Sequence, residues 1–374
     1  MLYKNGNVFI NGEFKYASFR VEDGYFSDIL PGDIDENGVD LGNQYVIPGL
    51  VDIHLHGSMG ADFSDGDTEG IKKMARFLAE EGVTSFAPAT MTLPYEVIAK
   101  ACESAKQFKE EHLSGHSRLM GIHMEGPFFC DAKKGAQNGA YLKDPDIEAF
   151  KKLYNASRGL IRIVDLAPEL PGSEDFVKEA REFCTVSVGH TDAPYEAAKT
   201  AFDSGATHVT HLYNGMPSLH HRKPGVIGAA FENDNVIAEL ISDGYHIHPS
   251  AVRAAFRLFP GRICLISDSL RCCGMPDGEY ELGGQAAFLK GGVARLSDGT
   301  IAGSASSLFT CMKKAISFGI PMEEAILSAT LIPAKEINED DEIGTIDIGR
   351  HADFVICTPT LERRSVYIGG SLVK

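Results

Sequence analysis

From Pro48 onward, short apolar runs alternate with amphipathic segments for roughly 300 residues, and this alternation narrows the possible folds more than any other feature. A helical pattern over 70–81 leads into an apolar run at 82–87. The series continues with runs at 117–123, 161–167, 185–190, 207–211, 236–242 and 263–268, and 296–302 adds a short extended segment. Strands that read as apolar throughout are buried on both faces, which requires helices to cover them. Repeated β-then-α units of this kind predict an α/β protein with a parallel sheet or a (β/α)8 TIM-type barrel. The ends differ from the middle. Residues 1–47 read as short strands joined by Asn5-Gly6, Asn11-Gly12 and Asp23-Gly24, which are hairpin signals. Residues 345–374 return to strand patterns around Phe354-Val355-Ile356 and Val366-Tyr367-Ile368. The expected arrangement is a small β-sandwich domain built from 1–47 plus 345–374, and a barrel over 48–344.

With 44% hydrophobic and 23% charged residues, the composition is that of a folded globular chain. A net charge of −17 argues against nucleic acid as a partner, because phosphate backbones attract basic surfaces. No apolar stretch approaches the ~20 residues that span a bilayer, and Met1-Leu2-Tyr3-Lys4-Asn5-Gly6 carries no signal-peptide core. The eight cysteines form no CxxC pair, which fits free thiols in the cytoplasm.

In a parallel barrel, catalytic groups stand at the C-terminal ends of strands. Polar residues capable of chemistry fall at such places repeatedly in this chain. His54 and His56 close the first run, and residues one apart on an extended segment share a face. Glu125 follows the third, His190, His211 and His246 follow later ones, and Asp268 closes 263–268. Histidines with a carboxylate and one open position suit a divalent metal, zinc or iron(II). Such an ion brings the pKa of bound water toward neutrality, and Asp268 is placed to act as the general base. Asp192 is placed to cap the helix after His190. His123 and His208 fall out of phase with the rim and read as core or supporting histidines. His112, His116, His248 and His351 read as peripheral. No P-loop, nucleophile elbow or GxGxxG is present.

These residues in this order resemble the amidohydrolase superfamily and, within it, the N-acetylglucosamine-6-phosphate deacetylase family. The resemblance rests on PGLVDIHLHG at 48–57, HMEGPF at 123–128, GHTDA at 189–193, THLYNGMP at 210–217, DGYH at 243–246 and Ser267-Asp268. It implies a metal-dependent amide hydrolase of amino-sugar catabolism that releases acetate from an N-acetylhexosamine 6-phosphate. By motif, Glu125, His190 and His211 bind the principal metal, and His54 and His56 form a second site, giving one or two ions per subunit. Asp268 moves the proton and His246 faces the acetamide carbonyl. Asn214 and Gly215 match substrate-contacting positions, as does the pair Ala136-Gln137. Arg222, in the basic run His220-His221-Arg222-Lys223, matches an arginine that reaches the neighbouring subunit's site, which implies a homodimer. Gln137 stands where many members carry a histidine, a departure that admits the galactosamine epimer as the preferred substrate. A non-catalytic sugar-phosphate binder is the competing class, and Asp268 argues against it, since a pure binder needs no proton shuttle.

Overall fold

The computed structural model describes residues 1–373. Its centre is a ring of parallel strands: β1 (Leu50–Asp52), β2 (Val83–Phe86), β3 (Ile122–Met124, led in by Arg118–Leu119), β4 (Ile161–Leu166), β5 (Thr185–Val188), β6 (His208–Val209), β7 (Ile237–Ile241) and β8 (Ile263–Ile266). Each pairs with its neighbour in order, β1 with β2 and the Arg118–Leu119 segment, then β3 through β8. An isolated bridge from Ala89 to His123 joins β2 to β3. The ring closes where the amide of Asp268 donates to the carbonyl of His54 at 2.9 Å. Every strand is followed by a helix: α1 (Thr68–Glu80), α2 (Tyr95–Glu110), α3 (Ile147–Ala156), α4 (Ser173–Ala180), α5 (Tyr195–Ser204), α6 (Gly225–Phe231), α7 (Pro249–Leu258) and α8 (Leu308–Ser317). This is the expected (β/α)8 barrel.

The reason is visible strand by strand. All four residues of β2 and all four of β8 are buried. Outward-facing residues such as Val83, Leu265 and Val186 pack with Ile71, Ala198 and Phe309 of the helices. Inward-facing Val51, Ile53, Ile163, Ile241 and Ile266 pack with Ile332, Ile337 and Ile343, which close the floor. The floor helix Leu331–Glu336 is tied to β5 by Thr185, whose hydroxyl donates to the Glu336 carbonyl at 2.8 Å.

The two ends of the chain share one eight-stranded sheet. Tyr45–Pro48 sits in its middle, between Leu2–Ile10 and Phe354–Cys357, and Glu13–Glu22 and Arg363–Ile368 lie further out on either side. Phe19 and Phe354 lie three strands apart in this order, a span of about 14 Å in a flat sheet. Their ring centroids are 5.1 Å apart. The sheet therefore folds over on itself, and its two halves close on Tyr3, Phe19, Phe26 and Phe354 as a sandwich does. Arg363 clamps this sheet to the barrel by a paired contact with Glu81, with one Nη–Oε distance of 2.7 Å.

Two expectations are corrected. The extended segment at 296–302 belongs to a four-stranded antiparallel sheet inserted between β8 and α8, formed by Gly278–Leu282, Gln285–Lys290, Val293–Leu296 and Ile301–Ser304. Its two tight turns are Gly283-Gly284 and Gly291-Gly292, both with positive φ as two-residue hairpin loops require. Asp192 does not cap α5, whose first position follows Pro194 without any side-chain cap. Its amide instead donates to Glu169 at 2.6 Å.

Phe354 is fully buried and stacks on Tyr367 with centroids 4.5 Å apart. Phe354→Ala is expected to cost about 3–5 kcal/mol, read as a lower urea midpoint. An unchanged midpoint would contradict this account of the terminal sheet.

Candidate metal centre

The strand ends carry the site, although hydrogen-bonded pairing stops before the functional residues. β1 ends at Asp52, β5 at Val188, β6 at Val209 and β8 at Ile266. His190, His211 and Asp268 follow with φ of +46°, +28° and +47°. Left-handed backbone at a non-glycine residue costs about 1–3 kcal/mol and clusters at functional sites. Here it turns each side chain off its strand line and into the mouth of the barrel. Pleat alternation alone would not deliver these groups.

Glu125 lies at the centre and is 1% exposed. Its Oε1 is 3.0 Å from Nε2 of His190, 3.2 Å from Nε2 of His211 and 3.6 Å from Nε2 of His54. Its Oε2 is 3.2 Å from Nε2 of His56. The Nε2 atoms of His190 and His211 are 3.0 Å apart. His56 Nε2 is also 3.4 Å from Oδ1 of Asp268. Two groups of donors result at the rim, Glu125 with His190 and His211, and His54 with His56 and Asp268, and a third, His54 with His123 and Glu239, lies below them. Oε1 of Glu125 faces the first group and His54 of the second, and Oε2 faces His56.

The opposite edge of each ring explains its orientation. Nδ1 of His190 meets the Lys133 carbonyl at 3.0 Å, and Nδ1 of His211 meets the Asn214 carbonyl at 3.2 Å. A carbonyl oxygen accepts only, so the hydrogen is on Nδ1 and the Nε2 lone pair faces inward. Nδ1 of His54 meets Glu239 at 2.9 Å, with the same consequence. The Nε2 of His54 is buried with no hydrogen-bond partner. Lone pairs converging on one point are satisfied by a cation. Metal–ligand bonds of about 2.1 Å in a tetrahedron put ligands about 3.4 Å apart, close to the separations around Glu125. The donor set therefore fits a divalent ion. Burial alone would raise the Glu125 carboxyl. Without an ion the same rings carry protons instead, and their charge and hydrogen bonds, the charge of His54 foremost, outweigh burial and hold it well below the usual range. Burial pushes Asp268 up as well, but the hydrogen bond from His56 and the charges of His54, His56 and His211 together lower it.

A cavity of about 210 Å³ opens above these groups. His56, Glu125, Ala136, Gln137, His190, His211, Asn214, Gly215, His246 and Asp268 border it, together with Thr300–Gly303 of the inserted sheet, residues 300–303. His246 is held by Asp243 at Nδ1, 2.8 Å, and by the Ala302 carbonyl at Nε2, 2.9 Å. Gln137 is committed to the centre: its amide donates to Oε2 of Glu125 at 2.5 Å and its oxygen accepts the Thr92 amide at 2.7 Å. Arg222 lies elsewhere, exposed on its loop, and no lysine or arginine is among the described residues bordering the cavity. His248 caps α7 by accepting the Ser250 amide. The sequence reading missed Glu239 and Asp165, both fully buried below the centre. Their signal was a carboxylate inside an apolar run, which is costly unless partnered.

A parallel barrel whose rim carries two clusters of metal-ligating groups defines a class of metal-dependent hydrolases, and the comparisons with known proteins agree. Residues 45–373 match the amidohydrolase family. The chain is 38% identical to the N-acetylglucosamine-6-phosphate deacetylase of Bacillus subtilis (strain 168), covering 96% of this chain and 90% of that one. It is 33% identical to the N-acetylgalactosamine-6-phosphate deacetylase of Escherichia coli O157:H7, covering 94% and 93%. It superimposes with a TM-score of 0.94 on a mutant N-acetyl-D-glucosamine-6-phosphate deacetylase from Mycobacterium smegmatis in complex with N-acetyl-D-glucosamine-6-phosphate, at 28% identity over 100% of this chain and 99% of that one. The chain belongs to the amidohydrolase family and, within it, to the N-acetylglucosamine-6-phosphate deacetylase family.

Removing an outer partner of a metal ligand costs about 10–100-fold in affinity, and removing a central ligand exceeds that. Glu125→Gln is therefore expected to lose bound divalent ion by elemental analysis, as is wild-type protein dialysed against a chelator. A variant that keeps its full metal content would contradict this geometry.

Proposed function

We propose that the chain hydrolyses the acetamide of N-acetyl-D-glucosamine 6-phosphate to D-glucosamine 6-phosphate and acetate. The observation that carries this reading is the convergence of Glu125, His190 and His211 with His54, His56 and Asp268 beneath one small cavity. In this reading Glu125, His190 and His211 hold a principal ion, zinc or iron(II), and His54 and His56 a second. An ion there supplies positive charge against the carbonyl oxygen and acidifies a water molecule.

The remaining steps belong to side chains. Asp268 is kept ionised by its histidine neighbours. It takes the proton from the attacking water and returns it to the departing amine. His246 is aimed by Asp243, whose hydrogen bond and charge raise its pKa despite burial. Its Nε2 hydrogen, now on the Ala302 carbonyl, is the donor available to the developing oxyanion. Asn214, Gly215 and Ala136 border the space for the sugar. The phosphate requires a cation that the described residues bordering the cavity do not provide, and Arg222 of a second copy supplies it as a bidentate partner. The active form is then a homodimer, and free cysteines throughout fit a cytoplasmic enzyme. No described helix is long and apolar enough to cross a membrane.

The galactosamine epimer is a second reading, favoured by the similarity to the Escherichia coli relative. Acetate release measured from both hexosamine 6-phosphates decides between them, with the gluco epimer expected to be faster. Asp268→Asn is expected to lower kcat by about 10²–10⁴-fold while substrate still binds. Arg222→Ala is expected to raise KM with little change in kcat, and sedimentation is expected to show a dimer. Undiminished turnover in Asp268→Asn would overturn the mechanism.

A further inference from the structure

Inside the barrel, below the rim, runs a row of buried polar side chains that the proposed reaction does not use. Glu239 stands on β7 and is fully buried. Its Oε2 is 2.9 Å from Nδ1 of His54 and accepts the backbone N–H of His211 at 3.0 Å. On its other side, Oε1 lies 3.1 Å from Nε2 of His208, close enough for charge attraction but out of hydrogen-bond geometry. Nδ1 of His208 is 2.6 Å from Oε2 of Glu336, at the end of the floor helix. The Glu336 side chain is 11% exposed, so the row Glu336–His208–Glu239–His54 runs from the barrel floor to the rim. His123 stands beside the row, held by Asp165 at 2.8 Å and the Ile53 carbonyl at 3.1 Å.

A carboxylate buried in an apolar strand is expensive, and packing alone would be served better by leucine. What Glu239 does for that cost is geometric. Its oxygen accepts, so the hydrogen of His54 stays on Nδ1 and the Nε2 lone pair points at Glu125 and Asp268. The same oxygen holds the amide of His211, whose backbone is left-handed. It therefore orients the ring of His54 itself, but only the backbone of His211, whose ring is held by the Asn214 carbonyl.

We propose that Glu239 is a positioning residue for the His54 subsite, fixing the tautomer and direction of that ring, with His208 and Glu336 as the outer links. This rests on the two-ion reading given under Proposed function. The test is a chelator-competition titration with Co²⁺ on the full chain, with the visible absorption of the bound ion as a second readout. Glu239→Gln replaces the charged acceptor and is expected to weaken one of two ions about 10–100-fold while the other stays within about 3-fold. Glu336→Gln, at the floor, is expected to weaken the same ion by less than about 10-fold. Equal loss of both ions in Glu239→Gln, or unchanged affinity for both, overturns the proposal. Should that variant fail to fold, Glu336→Gln decides, and unchanged affinities there overturn it. A wild-type chain that binds a single ion overturns this proposal alone, whereas one that binds none overturns the metal reading itself.

Discussion

Glu125 is an ionised side chain with almost no solvent contact, and four imidazole nitrogens and one amide close on its two oxygens. An unpaired buried carboxylate costs several kcal/mol, so the rim of the barrel is organised around compensating it. The histidines come from beyond β1, β5 and β6, and the amide comes from the loop after β3. None of these groups is near Glu125 in the chain except Gln137. The centre therefore exists only when the ring is closed, and the bond from the Asp268 amide to the His54 carbonyl closes it.

The second constraint is direction. Imidazole is a useful ligand only with its lone pair aimed, and three of the four rings on Glu125 are aimed from behind. Carbonyls of Lys133 and Asn214 hold His190 and His211, and a carboxylate holds His54. His190 and His211 reach those partners from left-handed backbone of their own. The inserted sheet adds a wall on one side, and Ala302 on it engages His246. Stability and chemistry thus compete at the rim and are reconciled by the apolar layers beneath it.

Much of this was legible before any coordinates. The alternation of apolar runs and helical patterns narrowed the fold to a parallel sheet or a barrel, because strands buried on both faces have few other solutions. Glu125, His54, His56, His190, His211, His246 and Asp268 stood out by falling where such runs end. The inserted sheet was less legible, since its strands have one exposed face and short lengths, although Gly283-Gly284 and Gly291-Gly292 mark its turns. Asp192 had the chemistry of a cap, but Glu169 took its amide and Pro194 took the cap position. Gln137, which matches a substrate-contacting position, borders the cavity, and only the structure shows that its amide also engages Glu125 and Thr92.

By itself the sequence determined periodicity and inventory: which segments must be strands or helices, which ends are alike, and which polar groups sit at strand ends. Those follow from side-chain chemistry read along the chain. Only the tertiary structure decided which groups meet, that Glu125 stands between two clusters, that Glu239 stands behind His54, and that Arg222 stays out of its own chain's cavity. Such pairings depend on ring closure, register and local left-handed turns, and these are set by contacts between residues far apart in the polypeptide.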